Sequence, residues 1–66
     1  MGRKRVYYIK GRLSGTERVD DIDRAEGKDK LFYLLAEYSL AFGPIWTLWV
    51  TDSHGRRLSD EELEED

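Results

Sequence analysis

The sequence predicts a small α+β domain, a mainly antiparallel sheet with one central helix on one face, in the order β-β-α-β-β. Three observations predict it. The stretch Lys28–Phe42 repeats its apolar residues at helical spacing and is closed by Gly43-Pro44. Residues 4–13 and 45–51 are rich in β-branched and aromatic side chains and alternate with period two. Dipeptides suited to tight turns, Ser14-Gly15 among them, separate these runs.

The helix organises the rest. On a wheel of about 100° per residue, Leu31, Leu34, Leu35, Tyr38 and Phe42 share one stripe, which needs a sheet to lie on. Gly43 suits the left-handed position just past the last turn, and Pro44 cannot continue the helix. A capping-box start at Asp23 would place Gly27 inside the helix at a cost of about 1 kcal/mol relative to Ala, so the start is expected near Lys28.

In the first strand Tyr7, Ile9, Gly11 and Leu13 have one parity, and Val6, Tyr8, Lys10 and Arg12 the other. The parity holding Lys10 and Arg12 is expected to face solvent. Ser14-Gly15 predicts a two-residue hairpin loop, followed by a second strand over residues 16–25. That second segment is mostly charged, and its clear apolar residues, Val19 and Ile22, are three apart. A polar edge strand with a bulge accounts for both features, since edges are commonly protected in this way. In residues 45–51 Trp46, Leu48 and Val50 oppose Ile45, Thr47, Trp49 and Thr51, so the two tryptophans lie on opposite faces. Asp52-Ser-His-Gly55 is a turn, after which Arg56-Arg57-Leu58 is expected to return as a brief last strand. Ser59-Asp-Glu-Glu62 matches a capping box, so residues 59–66 form a short acidic helical turn or tail.

At 66 residues the chain has room for one domain, 1–66, and one thin core. A domain of this size buries only about 60% of the surface its unfolded chain exposes. With no cysteine, neither disulfides nor a thiolate metal site supplement that core, and a reducing compartment is permitted. The basic N-terminus lacks the apolar run of a signal peptide and no stretch approaches a membrane span, so a soluble cytoplasmic chain without a membrane partner is expected. The net charge of −3 hides an asymmetry. Residues 1–12 carry Arg3, Lys4, Arg5, Lys10 and Arg12 and no acid, whereas Asp60, Glu61, Glu62, Glu64, Glu65 and Asp66 crowd the other end.

Enzymatic constellations are nearly absent, and no catalytic, metal-binding or cofactor-binding residue is assigned. The single histidine, His54, sits in a turn beside Ser53, a sequence neighbour that does not make a nucleophile-base pair. The Asp20-Asp21-Ile22-Asp23 run lacks the bend glycine and distal glutamate of a calcium loop. Two binding surfaces are expected instead. Phe32, Ala36 and Leu40, with Tyr33 close by, form an apolar strip on the helix opposite its core stripe, suited to a protein contact or a homodimer. The outward face of the sheet gathers Tyr8, Lys10 and Arg12 beside Trp49, Thr47 and Thr51, where aromatics can stack bases and cations pair phosphates. An Arg3-Lys4-Arg5 arm would add sequence-independent phosphate contacts.

In size, lack of catalytic residues, dense charge and spare aromatic surface, the chain resembles the small inhibitor and adaptor proteins of phages and mobile elements, including those that block CRISPR effectors. That resemblance is one of composition, without a shared motif. It implies a regulatory or inhibitory, non-enzymatic, stoichiometric binder of a larger protein or nucleoprotein complex. The acidic stretches, with Asp20, Asp21 and Asp23 in the first and 60–66 as the second, would then imitate nucleic-acid phosphates. The expected function is protein binding, and the alternative is a nucleic-acid-binding module using the basic arm and the sheet face.

Overall fold

Alternating burial along one strand shows how the layers are arranged. In β1 (Val6–Leu13), Tyr7, Ile9 and Gly11 are buried, while Tyr8, Lys10 and Arg12 keep some or all of their exposure. The computed structural model describes residues 5–64; Arg3 and Lys4 of the arm, and Glu65 and Asp66 of the tail, lie outside them. After β1 come β2 (Val19–Glu26), α1 (Lys28–Phe42), β3 (Trp46–Thr51) and α2 (Asp60–Glu64). The sheet has the order β2-β1-β3, and both neighbours of β1 run antiparallel to it. This is the predicted α+β class, one main helix on one face of a small antiparallel sheet.

The helix starts where the sheet ladder stops. The Gly27 N–H donates to the Arg5 carbonyl (2.8 Å), while its own carbonyl accepts from Leu31 N–H (3.1 Å). One residue therefore closes the strand and opens the helix, at a φ of 86° that favours glycine. The expected stripe faces the sheet: Leu31 is buried, and Leu34, Leu35 and Tyr38 pack against the core formed by Tyr7, Ile9, Ala25, Val50, Leu58 and Leu63. Phe42 extends the contact, with its ring centroid 5.5 Å from Tyr38 and 5.0 Å from Trp46. Gly43, at φ 72°, ends the helix as predicted.

Three expectations need correction. The second strand begins at Val19, not at residue 16, and ends at Glu26, so the β1–β2 connection is five residues long and not a two-residue loop. Thr16 stabilises this longer turn, because both its N–H and its hydroxyl donate to the Leu13 carbonyl (3.1 and 2.9 Å). Meanwhile Ser14 N–H is drawn to Ile45 O (2.7 Å), away from the hairpin. The last strand is reduced to a single bridge, Thr51 to Arg57. Residues 56–58 do run along the outer edge of β3, with Asp52 N–H donating to Arg56 O (3.0 Å) and Leu58 N–H to Val50 O (2.9 Å). Leu58 then turns into the core and Ser59 starts α2, which leaves no length for a ladder.

The α2 cap forms reciprocally: Glu62 N–H donates to Ser59 Oγ (3.2 Å) and Ser59 N–H to Glu62 Oε1 (3.4 Å). The acidic turn also places Leu63 in the core.

The expected bulge lies in β2. Ile9 faces Asp23 and Lys10 faces Asp21, so Ile22 is the extra residue. It folds over Gly11 of β1, where an added Cβ would stand 3.2 Å from Ile22 Cδ1 and 3.0 Å from Leu48 Cδ2. Gly11 is thus needed for the close approach of side chains from both flanking strands. Gly11→Val is expected to destabilise the fold by about 1–3 kcal/mol through overpacking, read from urea unfolding midpoints. A variant as stable as the wild type would show that Ile22 and Leu48 do not close over this position.

Candidate binding surfaces

Because α1 covers only one side of the sheet, the outer side of the helix is open and the outer side of the sheet partly so. On the sheet, Arg12 and Thr47 are exposed, Tyr8, Lys10 and Trp49 half-buried and Thr51 buried. The first of these faces is the outer side of the helix. Its core stripe turns Phe32, Tyr33, Ala36 and Leu40 outward, and the three large ones are 47%, 59% and 85% exposed respectively. Ala36 is also exposed. Phe32, Ala36 and Leu40 follow one another at intervals of four, so they line one side of the helix over roughly 12 Å. The Lys30 ammonium lies 5.8 Å from the centre of the Tyr33 ring, and the exposed Glu37 adds a charge of the other sign. The sequence-predicted residues of this strip are all brought together.

The second is the outer face of the sheet. Register places Tyr8 opposite Thr51, Lys10 opposite Trp49 and Arg12 opposite Thr47 on one side of β1, and Arg24, Asp21 and Val19 on the other. The predicted Tyr8, Lys10, Arg12 and Trp49 therefore share one face. Two cations sit over its aromatics: Lys10 Nζ is 5.9 Å from the Tyr8 ring centre, and the Arg57 guanidinium 5.3 Å from that of Trp49. Arg5 departs from the expected set, since its guanidinium lies 5.8 Å from Tyr7, which belongs to the helix-covered face.

Sequence reasoning missed Arg24 and Arg57. Arg24 acquires its outward parity only after the bulge, and Arg57 only through its bridge to Thr51. The change of parity falls between Ile22 and Asp23, and the three-residue spacing of Val19 and Ile22, which lie on opposite faces, does not locate it.

The three aspartates of β2 do not converge. Asp21 pairs with Lys10 on the outer face. Asp20 pairs with Arg18 (3.1 Å). Asp23, opposite Ile9, turns toward the helix, where one carboxylate oxygen accepts from the Tyr38 hydroxyl (2.6 Å) and the other from Arg24 N–H (2.7 Å). The Tyr38 hydrogen bond, followed by that from Arg24 N–H, holds the Asp23 carboxyl below its ordinary value, and the same Asp23 bond pushes the Tyr38 hydroxyl up.

Asp52 organises the turn before α2. Its Oδ1 accepts from Arg56 N–H (3.0 Å) and His54 N–H (2.9 Å), and the Arg56 backbone bond is the main reason its carboxyl is held low. Glu62 is held low chiefly by the Arg56 guanidinium, whose two terminal nitrogens reach its two oxygens. These contacts fix the segment that places Leu58 and Leu63, and they account for His54 as a turn residue.

No helix among the described residues is long and apolar enough to cross a membrane. Comparison of the chain with protein-family models, curated proteins and solved structures found no match.

The Asp23–Tyr38 pair predicts a pH signature. Asp23, with its lowered pKa, stabilises the fold above its ordinary value of 3.8, and this contribution is lost as pH falls through the lower folded value. Tyr38, with its raised pKa, stabilises below 10.0, and that contribution is lost as pH rises through the higher folded value. Tyr38→Phe should cost about 1 kcal/mol near neutral pH, less than a fully buried charged pair because this one is only part-buried. In denaturant titrations the difference from wild type should shrink at both pH extremes. A difference independent of pH would contradict the pairing.

Proposed function

We propose that the chain is a non-enzymatic protein-binding domain, regulatory or inhibitory, which seats the outer strip of α1 in an apolar groove on a larger protein or nucleoprotein complex. The observation that carries this reading is Leu40, 85% exposed and in line with Phe32 and Ala36 on one helix face. A leucine so placed adds almost nothing to the core, yet each large apolar side chain of this kind gains about 1.5–3 kcal/mol when fully buried. Anchors one helical turn apart, with a small residue between two large ones, suit a helix-in-groove contact in which the partner wall approaches closely at Ala36. Lys30 and Glu37 would supply a polar rim.

The helix strip is a better candidate than the acidic edge. Asp20, Asp21 and Asp23 turn to three different partners, Arg18, Lys10 and the Tyr38 hydroxyl, so they do not form one acidic patch for a basic groove. The cysteine-free composition suits a reducing compartment, in keeping with action in the cytoplasm on the components that phage and mobile-element inhibitors address.

The pair Phe32→Glu and Leu40→Glu should leave the circular dichroism spectrum intact and the unfolding free energy within about 0.5 kcal/mol of wild type, because neither side chain packs in the core. The same pair should abolish retention of a defined partner by a tagged copy. Light scattering on both proteins identifies the occupant: a wild-type dimer that the pair converts to monomer assigns the groove to a second copy. Unfolding of the pair, or capture unchanged by it, would overturn the proposal.

A further inference from the structure

We propose that the outer face of the sheet is a second and separate site, which takes single-stranded nucleic acid. The argument is independent of the helix strip, because α1 packs on the opposite face. Four cations, Lys10, Arg12, Arg24 and Arg57, lie on or beside this face together with Tyr8 and Trp49. Among the described residues, Asp21 and Glu26 are the acids at outward register positions of the strands, with Asp23 and Asp60 at the margins of this face. Of the fourteen acids, Glu61, Glu62 and Glu64 of α2 and Asp29 and Glu37 of α1 lie on the helices, while Asp60 lines a cavity beside Trp49 and Arg57. An acidic protein thus presents a locally cationic sheet.

The pairing pattern leaves that charge available. Among the described residues Arg12 and Arg57 have no carboxylate partner. Lys10 pairs with Asp21 and Arg24 with Glu26, but both acids are well exposed, and such surface pairs are worth little enough for a phosphate to compete. Tyr8 and Trp49 are diagonal neighbours across β1 and β3, roughly 7–8 Å apart at the backbone, with Lys10 directly opposite Trp49. Two bases of one strand can be taken by the two rings when Lys10 and Arg57, which lie over them, swing aside. These two cations and Arg12 then meet the phosphates between and beside the bases. Stacking of this kind requires the base face, which a duplex hides and a single strand offers. An open sheet also presents no helix or ribbon to enter a major groove.

The test is fluorescence anisotropy of a labelled oligothymidylate of about ten nucleotides, within the range of such sites, with the full chain as titrant. Binding should weaken about tenfold or more between about 50 and 200 mM salt, as release of counterions from some three phosphate contacts requires. Lys10→Glu with Arg12→Glu should weaken it at least tenfold while the fold is retained, and Leu40→Glu should leave it unchanged. Trp49→Phe, which keeps an aromatic ring, should bind, whereas Trp49→Thr, which keeps strand propensity, should not. A duplex of the same sequence should bind markedly more weakly. Failure to bind at low salt, binding that survives the Lys10 and Arg12 changes, or equal affinity for duplex would each overturn the proposal.

Discussion

The burial of Leu31 of α1 and Ile9 of β1 in one shared core is the constraint on which the rest depends. These are the two largest fully buried side chains, one from each layer, and the remaining core residues gather around them. A chain of this length can close one such interface and little more. Covering one face of the sheet with one face of the helix leaves the other face of each without a second layer over it. The exposed strip of α1 and the open sheet are therefore direct consequences of a two-layer fold, and their chemistry differs because their residues were released from packing.

The edges of the sheet are treated differently from its faces. Beside β3, residues 56–58 occupy the edge for one bridge, held between the Asp52 turn and the Ser59 cap. Beside β2, the bulge at Ile22 bends the strand, the segment is mostly charged, and the Asp23 carboxylate covers the Arg24 N–H. Each of these discourages addition of another strand. The acidic character of β2 thus has a structural use, which is why the functional weight falls on the helix strip and the sheet face.

Local patterns carried most of the fold. The helix stripe, its stop at Gly43, the parity of β1 and the capping box at Ser59 depend on neighbours within a few residues, and each was legible from spacing alone. The start of β2 was not, because Thr16 and Ser14 answer to Leu13 and to distant Ile45. The last strand was overread because three residues with strand character sit between two locally fixed turns. Leu58 and Leu63 were hidden in a charged tail whose burial is set by the helix and sheet they meet. Of the open sheet face, Tyr8, Lys10, Arg12 and Trp49 followed from period two, while Arg24 and Arg57 required the bulge and the bridge.

The central claim, that one core leaves two faces uncovered in the native chain, is tested most directly by hydroxyl-radical footprinting of the folded protein at low concentration, read residue by residue. The account predicts rapid oxidation of Leu40, Phe32 and Tyr33, intermediate oxidation of Trp49 and Tyr8, and strong protection of Leu31, Ile9, Tyr7 and Leu58. Protection of Leu40 and Phe32 as strong as that of Leu31, independent of concentration, would mean that the helix is rotated or its outer side covered within the chain. That result would contradict the two-layer core.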